Sequence, residues 1–325
     1  MKNKRLYVFL ILCLFLPILF FYFVKALQYF NVVGEIIISA LPLLVCISLI
    51  FQTTIFILLL RFFKQRWLYV IDYLLALFCL LPIFAPIYIY YYPVQKSYVK
   101  SDNAESVLSV FSANILYSNS QMDKLASTII ELSPDVVLLN ELTGQQYKEL
   151  LTTLGSTYPY SYNPQEGLNG YFSKLIPTEF EERVFPIGDS YLILKVSKNN
   201  MDYNLYGVHP PALFSNYHVR IRTEYMDEVA AKINLASESK TIVIGDYNMT
   251  PWVWGYKYFL QKLPEGFYNA GEKTGFYGSW SISGGYSLPI TLIDHALISQ
   301  NIKITYFTTV KVDGSDHMGL YIEAK

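Results

Sequence analysis

Three long apolar runs within the first hundred residues constrain this chain more than any other feature. Residues 6–24 and 36–60 contain no charged side chain, and residues 68–92 contain one, Asp72. Each run has at least the roughly 18–20 residues that a helix needs to cross a bilayer core. Three uncapped apolar runs in succession do not suit a soluble core. We therefore expect three transmembrane helices, at about 6–24, 36–60 and 68–92.

The distribution of Lys and Arg around these runs predicts an orientation. Six lie before the first run or between the second and third, and three lie on the other side: Lys2, Lys4, Arg5, Arg61, Lys64 and Arg66 against Lys25, Lys96 and Lys100. Basic residues favour the cytoplasmic side. We expect a membrane domain at 1–92 with a cytoplasmic N-terminus, a polar linker at 93–105, and an extracytoplasmic domain at 106–325.

The extracytoplasmic domain is acidic and lacks cysteine. Residues 101–325 contain 16 Lys and Arg against 24 Asp and Glu, a net charge of −8, and the three cysteines of the chain all precede residue 80. Proteins that bind nucleic acid usually carry a basic surface. The charge therefore disfavours nucleic acid as a partner, and the composition excludes a cysteine nucleophile or a cysteine zinc site in this domain.

Strand and helix patterns alternate through this domain. Strand-like runs lie at 107–115, 135–140, 191–196, 204–208, 241–244, 292–299 and 318–322, and amphipathic helix patterns lie at 121–132 and 217–235. The segment 155–190, rich in Gly, Pro and Tyr, has no clear period. Buried strands mixed with helices predict a layered α/β domain.

Polar residues with catalytic potential follow or interrupt six of these strands. They are Asn114, Glu141, His209, Asp246 with Asn248, Asp294 with His295, and Asp316 with His317. One such residue alone is more often a turn or cap residue, but α/β folds place their sites at strand ends, and six together favour a site.

The residue types in this set indicate a reaction class. Carboxylate and amide oxygens suit Mg²⁺ or Mn²⁺, and imidazoles stabilise developing charge or move a proton. The domain has no nucleophile-elbow serine motif and no Gly-rich phosphate loop. The set therefore predicts a water molecule attacking an electrophile held by a hard metal ion.

The order of the motifs resembles a known family. They are Ser112-Ala113-Asn114, Leu139-Asn140-Glu141, Val208-His209-Pro210, Gly245-Asp246-Tyr247-Asn248, Ile293-Asp294-His295 and Ser315-Asp316-His317. This order resembles the N…E…H…GDxN…D…SDH pattern of the endonuclease/exonuclease/phosphatase superfamily. The resemblance implies a four-layer αββα sandwich, an α/β (α+β) fold, for the domain at 106–325.

The resemblance also implies a metal site. Glu141 would bind a divalent ion, Mg²⁺ or Mn²⁺, with Asn114 beside it, and Asp316 would complete the metal end of the site.

Five further residues receive catalytic roles from the same resemblance. Asp246 would orient or deprotonate the attacking water, and Asn248 would help to hold water and phosphate. His317 would contact the scissile phosphate with Asp294 as its carboxylate partner, and His209 would donate a hydrogen bond to a phosphate oxygen.

Within the superfamily the chain is similar to a membrane-anchored bacterial subgroup that includes phosphatases linked to glycopeptide resistance. The segments at 275–280 and 250–252 carry this similarity. Two positions depart from the superfamily pattern: Asn140 stands where Gln is common, and residue 116 is Leu where some nucleases have Asp. The second departure weakens an abasic-site nuclease interpretation.

Three functions follow as alternatives. The first is a phosphoesterase for a membrane-bound phosphate or pyrophosphate, which the membrane domain and the net charge favour. An exported Mg²⁺-dependent nuclease is the second, and a non-catalytic binding protein on the same scaffold is the third. Five aromatic residues could form a lipid-facing or substrate-facing wall, although helix packing explains at least half of them: Trp252, Trp254, Tyr256, Tyr258 and Phe259.

Overall fold

The computed structural model describes residues 2–28, 32–62, 66–91, 107–164, 168–236, 239–273, 278–281 and 291–325. The chain forms two compact units: one comprises Met1–Ile89 with Trp252–Trp254, and the other comprises Tyr90–Pro251 with Gly255–Lys325. The predicted linker at 93–105 and the motif residues 275–277 lie outside the described residues.

The first unit contains four helices, and two of them are candidate membrane spans. The helices are α1 (Lys2–Leu27), α2 (Val32–Ser39), α3 (Leu41–Phe62) and α4 (Arg66–Tyr91). Leu6–Leu27 and Leu41–Arg61 are long and apolar enough to cross a bilayer. The third predicted span falls on α4, a helix of 26 residues, whose described side chains form the apolar stretch Tyr69–Leu81. The structure thus supports two of the three predicted spans.

The second predicted span is not one continuous helix. A turn at Ala40 separates α2 from α3, and Pro42 lies in the first turn of α3. Proline has no N–H to donate to the preceding turn, which suits the first turn of a new helix. The amide of Leu44 donates to the Ala40 carbonyl, 3.1 Å away, and this bond belongs to the new helix.

The second unit contains two six-stranded sheets and four helices. The strands are β1 (Leu108–Asn114), β2 (Val136–Asn140), β3 (Tyr160–Tyr162), β4 (Gly170–Ser173), β5 (Pro177–Val184), β6 (Ser190–Lys198), β7 (Met201–Val208), β8 (Lys240–Asp246), β9 (Tyr268–Asn269), β10 (Asp294–Ile298), β11 (Ile304–Lys311) and β12 (Met318–Ala324). The helices are α5 (Met122–Leu132), α6 (Gly144–Leu154), α7 (Asn216–Leu235) and α8 (Trp254–Lys262).

The strand orders place the motif-bearing strands at the centre of each sheet. The first sheet has the order β11-β12-β1-β2-β4-β3 and the second has the order β5-β6-β7-β8-β10-β9. Among the strand pairs of the described residues, β1–β2 and β7–β8 are parallel and the others are antiparallel. The sheets pack against each other through these central strands, where a Cβ on Gly207 would lie 3.5 Å from the Leu138 side chain. The unit is an α/β sandwich, as predicted.

The predicted elements appear close to their expected positions, and the unpatterned segment 155–190 contains β3, β4 and β5. Sequence patterns missed α6, α8 and β11. Helix α6 exposes most of its surface, and it begins at a capping box formed by Thr143 and Gln146. Of the five aromatic residues considered for a wall, Trp252, Tyr256 and Phe259 are buried, as expected if packing explains at least half of them.

His295 on β10 belongs to the core. Its side chain is fully buried, with Nε2 2.8 Å from the Met249 carbonyl and Nδ1 3.0 Å from the amide nitrogen of Asn269. A carbonyl can only accept, so the proton lies on Nε2 and Nδ1 accepts from Asn269. Burial lowers the pKa of His295 to about 4. The ring is therefore neutral at physiological pH.

Gly245 is required where β7 meets β8. Its φ is +147°, and a Cβ there would lie 2.1 Å from the Val208 carbonyl oxygen. We expect Gly245→Ala to destabilise the protein by at least about 2 kcal/mol, because strain and a backbone clash combine. Gly207→Ala is the matched control, since its Cβ would meet only ordinary van der Waals contacts. Thermal unfolding of the full chain in detergent compares the two; equal melting temperatures would contradict the account.

The neutral His295 predicts a pH-dependent stability. Its folded pKa lies below its ordinary value, so the unfolded state binds more protons between about pH 6.5 and pH 4. Stability is therefore full above that window and falls as the pH is lowered through it. We expect the wild type to lose about 2 kcal/mol more than His295→Gln between pH 7 and pH 4.5. Urea unfolding at the two pH values measures this difference, and parallel losses would refute it.

Candidate active site

The strand registers bring the predicted residues to one edge of the sandwich. In the first sheet Asn114 pairs with Asn140, so Asn114 lies beside the start of the Glu141 turn. In the second sheet Asp294 pairs directly with Asp246. The pairing of Val208 with Gly245 places the next residue, His209, at the level of Asp246. Residues that are far apart in sequence therefore meet where the central strands end.

Asp246 lies at the centre of this group and is 1% exposed. Its Oδ1 accepts a 2.7 Å hydrogen bond from the backbone N–H of Asn248. Its Oδ2 accepts a 3.1 Å hydrogen bond from the side-chain amide of Asn114, which crosses from the other sheet. These donors hold the carboxylate in one orientation.

Glu141 lies on the other side of Asn114. The Asn114 amide donates to Glu141 Oε1 at 2.8 Å, and the backbone N–H of Tyr117 donates to Glu141 Oε2 at 3.1 Å. Glu141 has a φ of +57°, a backbone conformation that a non-glycine residue adopts at a cost. Conformations of this kind concentrate at functional sites, where the surrounding structure enforces them.

Two imidazoles face the Asp246 carboxylate. The Nε2 atoms of His209 and His317 each lie 3.7 Å from Asp246 Oδ2, and His209 Nε2 lies 3.9 Å from Glu141 Oε1. These separations exceed hydrogen-bonding distance. Both Nε2 atoms therefore face the region beside Asp246 Oδ2, and neither forms a hydrogen bond with this carboxylate.

His317 and Asp294 form a buried pair. His317 Nδ1 lies 2.9 Å from Asp294 Oδ2, and both side chains are almost completely buried. Burial alone would lower the pKa of His317, but the Asp294 and Asp246 carboxylates outweigh it and raise the pKa to about 10. His317 is thus an imidazolium, whose Nε2–H is a charged donor. Ser279 Oγ accepts from the Asp294 N–H at 3.0 Å and fixes the start of β10.

Asn248 lies two residues after the end of β8 and has a φ of +51°. Its side-chain amide donates to the Pro210 carbonyl at 3.0 Å, which connects it to the segment that carries His209. The buried Arg222 on α7 contacts the Asn248 carbonyl at 3.4 Å. Asn248 therefore lies among the predicted catalytic residues.

Among the described residues, one carboxylate oxygen of Asp316 accepts a hydrogen bond and the other has no hydrogen-bond partner. The indole Nε1 of Trp280 donates to Asp316 Oδ2 at 2.9 Å. Asp316 Oδ1 is buried and has no hydrogen-bond partner within the described part of the chain. A buried carboxylate oxygen without a partner is costly unless a cation binds it.

The donor set fits a divalent metal ion. Glu141 and Asp316 offer carboxylate oxygens of the kind that Mg²⁺ and Mn²⁺ prefer, and the buried Asp316 Oδ1, which has no partner among the described residues, suits a cation. The Asn114 oxygen accepts from the Leu116 N–H at 3.1 Å, so Asn114 lies beside this group. Asp246, Asp294 and His317 also present potential ligand atoms within 4.8 Å of one another.

Sequence patterns missed a buried hydrogen-bond network behind the site. Asn140 Oδ1 accepts from the Asp246 N–H at 3.2 Å, and Asn140 Nδ2 donates to Asn169 Oδ1 at 2.8 Å. The Asn169 amide then donates to the Ser190 carbonyl and, at 3.0 Å, to Ser190 Oγ. The network connects β2 and the start of β4 in one sheet with β6 in the other.

The same network reaches His209. The Tyr225 hydroxyl donates to the Ser190 carbonyl at 2.8 Å and accepts from the His209 N–H at 2.9 Å. Tyr225 is fully buried on α7, and its helical spacing predicted only a core position. Asn169 and Ser190 fall in the segment 155–190, which has no clear period, so no sequence pattern identified either residue. Asn140 was visible only as a departure from the superfamily pattern.

His317 has a further backbone support. The hydroxyl of Ser315 donates to the Asn114 carbonyl at 2.8 Å and accepts from the His317 N–H at 3.0 Å. This serine belongs to the Ser-Asp-His motif, so the sequence identified it without revealing its contacts. It joins the ends of β1 and β12 and so fixes the turn that carries Asp316 and His317.

Comparisons with solved structures agree with this fold. The D. rerio TDP2 structure that holds a single-strand DNA product aligns with a TM-score of 0.57, 20% identity, and coverage of 68% of this chain and 99% of that one. An endonuclease/exonuclease/phosphatase from Beutenbergia cavernae aligns with a TM-score of 0.57, 17% identity, and coverage of 67% and 71%. Sphingomyelinase C from Streptomyces griseocarneus aligns with a TM-score of 0.52, 14% identity, and coverage of 67% and 99%.

The sequence comparisons identify the family. No curated protein sequence matches the chain. The profile of the Endonuclease/Exonuclease/phosphatase family matches residues 111–317, which include all the site residues described above. Proteins of this family are typically metal-dependent hydrolases that act on phosphate esters. The chain belongs to the Endonuclease/Exonuclease/phosphatase family.

Proposed function

We propose that this protein is an Mg²⁺- or Mn²⁺-dependent phosphoesterase that acts outside the cytoplasm on a membrane-associated phosphate or pyrophosphate. One observation carries the catalytic part of the proposal. The Nε2 atoms of His209 and His317 lie 3.7 Å from the same Asp246 oxygen, so two donors and one base face the same region. That arrangement suits a phosphoryl group under attack by water.

Each residue near the reacting atoms receives a role from its contacts. Asp246, held by two donors, accepts a proton from the attacking water. His317 donates from Nε2 to a phosphate oxygen, and Asp294 holds its ring and its charge. His209 donates to a second phosphate oxygen, and Asn248 positions the water or the phosphate.

The metal would be held by Glu141 and Asp316, with Asn114 beside them. When bound, it would supply Lewis-acid stabilisation of the charge on the phosphoryl oxygens. Asn114 also donates to both Glu141 and Asp246, so it holds the metal-binding carboxylate and the base in a fixed relation.

Two features support a membrane-associated substrate. We infer three spans, in which α4 (Arg66–Tyr91) crosses the bilayer after the two candidate spans Leu6–Leu27 and Leu41–Arg61. A cytoplasmic N-terminus, which the distribution of Lys and Arg favours, then places the catalytic unit outside the cytoplasm. The net charge of −8 over residues 101–325 opposes the electrostatic attraction on which nucleic-acid binding depends.

An exported nuclease is the second candidate. The structural similarity to a TDP2 that holds a single-strand DNA product favours it, while the acidic charge disfavours it. A non-catalytic binding protein is the third candidate. The complete set of strand-end residues and the imidazolium–carboxylate pair disfavour it, because a binding protein does not need a base and two aligned donors.

The base role of Asp246 gives a direct test. We expect Asp246→Asn to lower kcat roughly 10²–10⁴-fold, because the amide keeps the shape but cannot accept the proton. The measurement is phosphate or nitrophenol release from p-nitrophenyl phosphate and bis(p-nitrophenyl) phosphate by the full chain with Mg²⁺. Asp123→Asn, an exposed residue in the first turn of α5, is the matched control. Equal rates for the two variants would reject the assignment.

The network that ends on His209 predicts a smaller catalytic effect. Tyr225→Phe removes the hydroxyl that accepts from the His209 N–H. We expect kcat to fall roughly 3–30-fold with little change in KM, because His209 loses its fixed position rather than its chemistry. Tyr203→Phe, another buried tyrosine at the opposite end of β7, should leave kcat unchanged. A fall in kcat for both variants would point to general destabilisation instead.

A further inference from the structure

Exposed aromatic side chains lie on the two loops that carry active-site residues. Tyr117 is 63% exposed on the loop after β1, and its backbone N–H donates to Glu141. Phe214 is 79% exposed on the segment between β7 and α7, five residues after His209. Five residues span at most roughly 17 Å, so the Cα atom of Phe214 lies within about that distance of the His209 Cα atom.

The segment that carries Phe214 is held by specific contacts. Ser215 caps α7, and its hydroxyl lies 2.8 Å from His218 Nδ1. The Phe214 ring meets the edge of the His218 ring at 5.6 Å, and Tyr217, 44% exposed, meets it at 6.1 Å. Two aromatic rings are thus displayed from an ordered helix start.

The exposed rings of Phe214 and Tyr217 contribute little to the stability of the fold. A ring that stays mostly in water contributes little burial energy, and grouped exposed apolar side chains usually mark a binding surface. Tyr256 and Phe259, which the sequence offered as a substrate-facing wall, are buried. Among the described residues, Tyr117, Phe214 and Tyr217 are the exposed aromatic side chains on the loop after β1 and on the segment from β7 into α7.

We propose that Phe214 and Tyr217 bind the apolar chain of a lipid-linked phosphate whose phosphoryl group lies between His209 and His317, with Tyr117 at the opposite side of the entrance. This inference rests on the proposed phosphoesterase function and names its substrate class. The rings contact the hydrocarbon nearest the phosphate and so set specificity, while the chemistry stays with the strand-end residues.

The charges around the site favour a hydrocarbon chain over a nucleobase as the occupant. Aromatic rings can stack on bases, but a nucleic acid also brings a phosphate backbone, and the surrounding domain carries a net charge of −8. A lipid chain brings no additional charge. The two candidate membrane spans in the same chain also keep the enzyme at a bilayer, where such substrates reside.

The test uses the full chain in lipid nanodiscs with alkyl phosphates and alkyl pyrophosphates from ethyl to octyl. For the wild type, we expect kcat/KM to rise about threefold for each methylene that packs against the rings. In the double variant Phe214→Ser, Tyr217→Ser, kcat/KM should no longer rise with chain length. Its kcat/KM for the ethyl substrates should stay within about twofold of the wild-type value. Leu235→Ser is the control, since Leu235 is 88% exposed at the far end of α7.

Each outcome decides a different claim. The inference is supported if the wild type and the control hydrolyse the series with kcat/KM rising with chain length, and only the double variant loses that rise, which we call the slope. Hydrolysis with no slope in the wild type, or the same slope in both proteins, overturns the inference and leaves the phosphoesterase intact. A double variant that loses oligonucleotide cleavage but keeps its alkyl slope assigns the rings to nucleobases. No hydrolysis of any member by the wild type counts against the proposed function itself.

Discussion

The Asn114 side chain, which joins Glu141 to Asp246, is the contact on which the rest of the site depends. Its amide donates to Glu141, which follows a strand of the same sheet, and to Asp246, which ends a strand of the other sheet. Two carboxylates this close repel each other unless donors or cations lie between them. The Asn114 amide lies between them, and the imidazoles of His209 and His317 lie beside them. The sandwich brings these groups together because its central strands end at one edge.

Positioning extends beyond the groups that would touch a substrate. The network from Asn140 through Asn169 and Ser190 to Tyr225 supports the backbone of both Asp246 and His209. Its members are buried, so each missing partner would leave an unsatisfied polar group in the core. This cost ties the geometry of the site to the stability of the sandwich, and it explains why polar side chains occupy positions where the two sheets pack.

The sequence identified the proposed catalytic residues more readily than the buried residues that position them. Strand-end residues such as Asp246 stand out because they interrupt apolar runs, and their order revealed the family. Asn169 and Ser190 did not, since their partners come from distant strands and their own segment has no period. His295 followed the same pattern as Asp294 but points into the core, because alternate residues on a strand face opposite sides. The structure supports two of the three predicted spans, and the second of them begins at Leu41 because length and hydropathy alone do not reveal the helix break at Ala40.

The central claim is that the strand-end residues hydrolyse phosphate esters with a divalent cation. Its most direct test is phosphate release by the purified full chain from lipid-linked, nucleotide and DNA substrates, with Mg²⁺ and with EDTA. The account predicts release that EDTA abolishes and added Mg²⁺ or Mn²⁺ restores, with lipid-linked substrates preferred over DNA. Release that is unaffected by EDTA, or no release from any substrate, would contradict it.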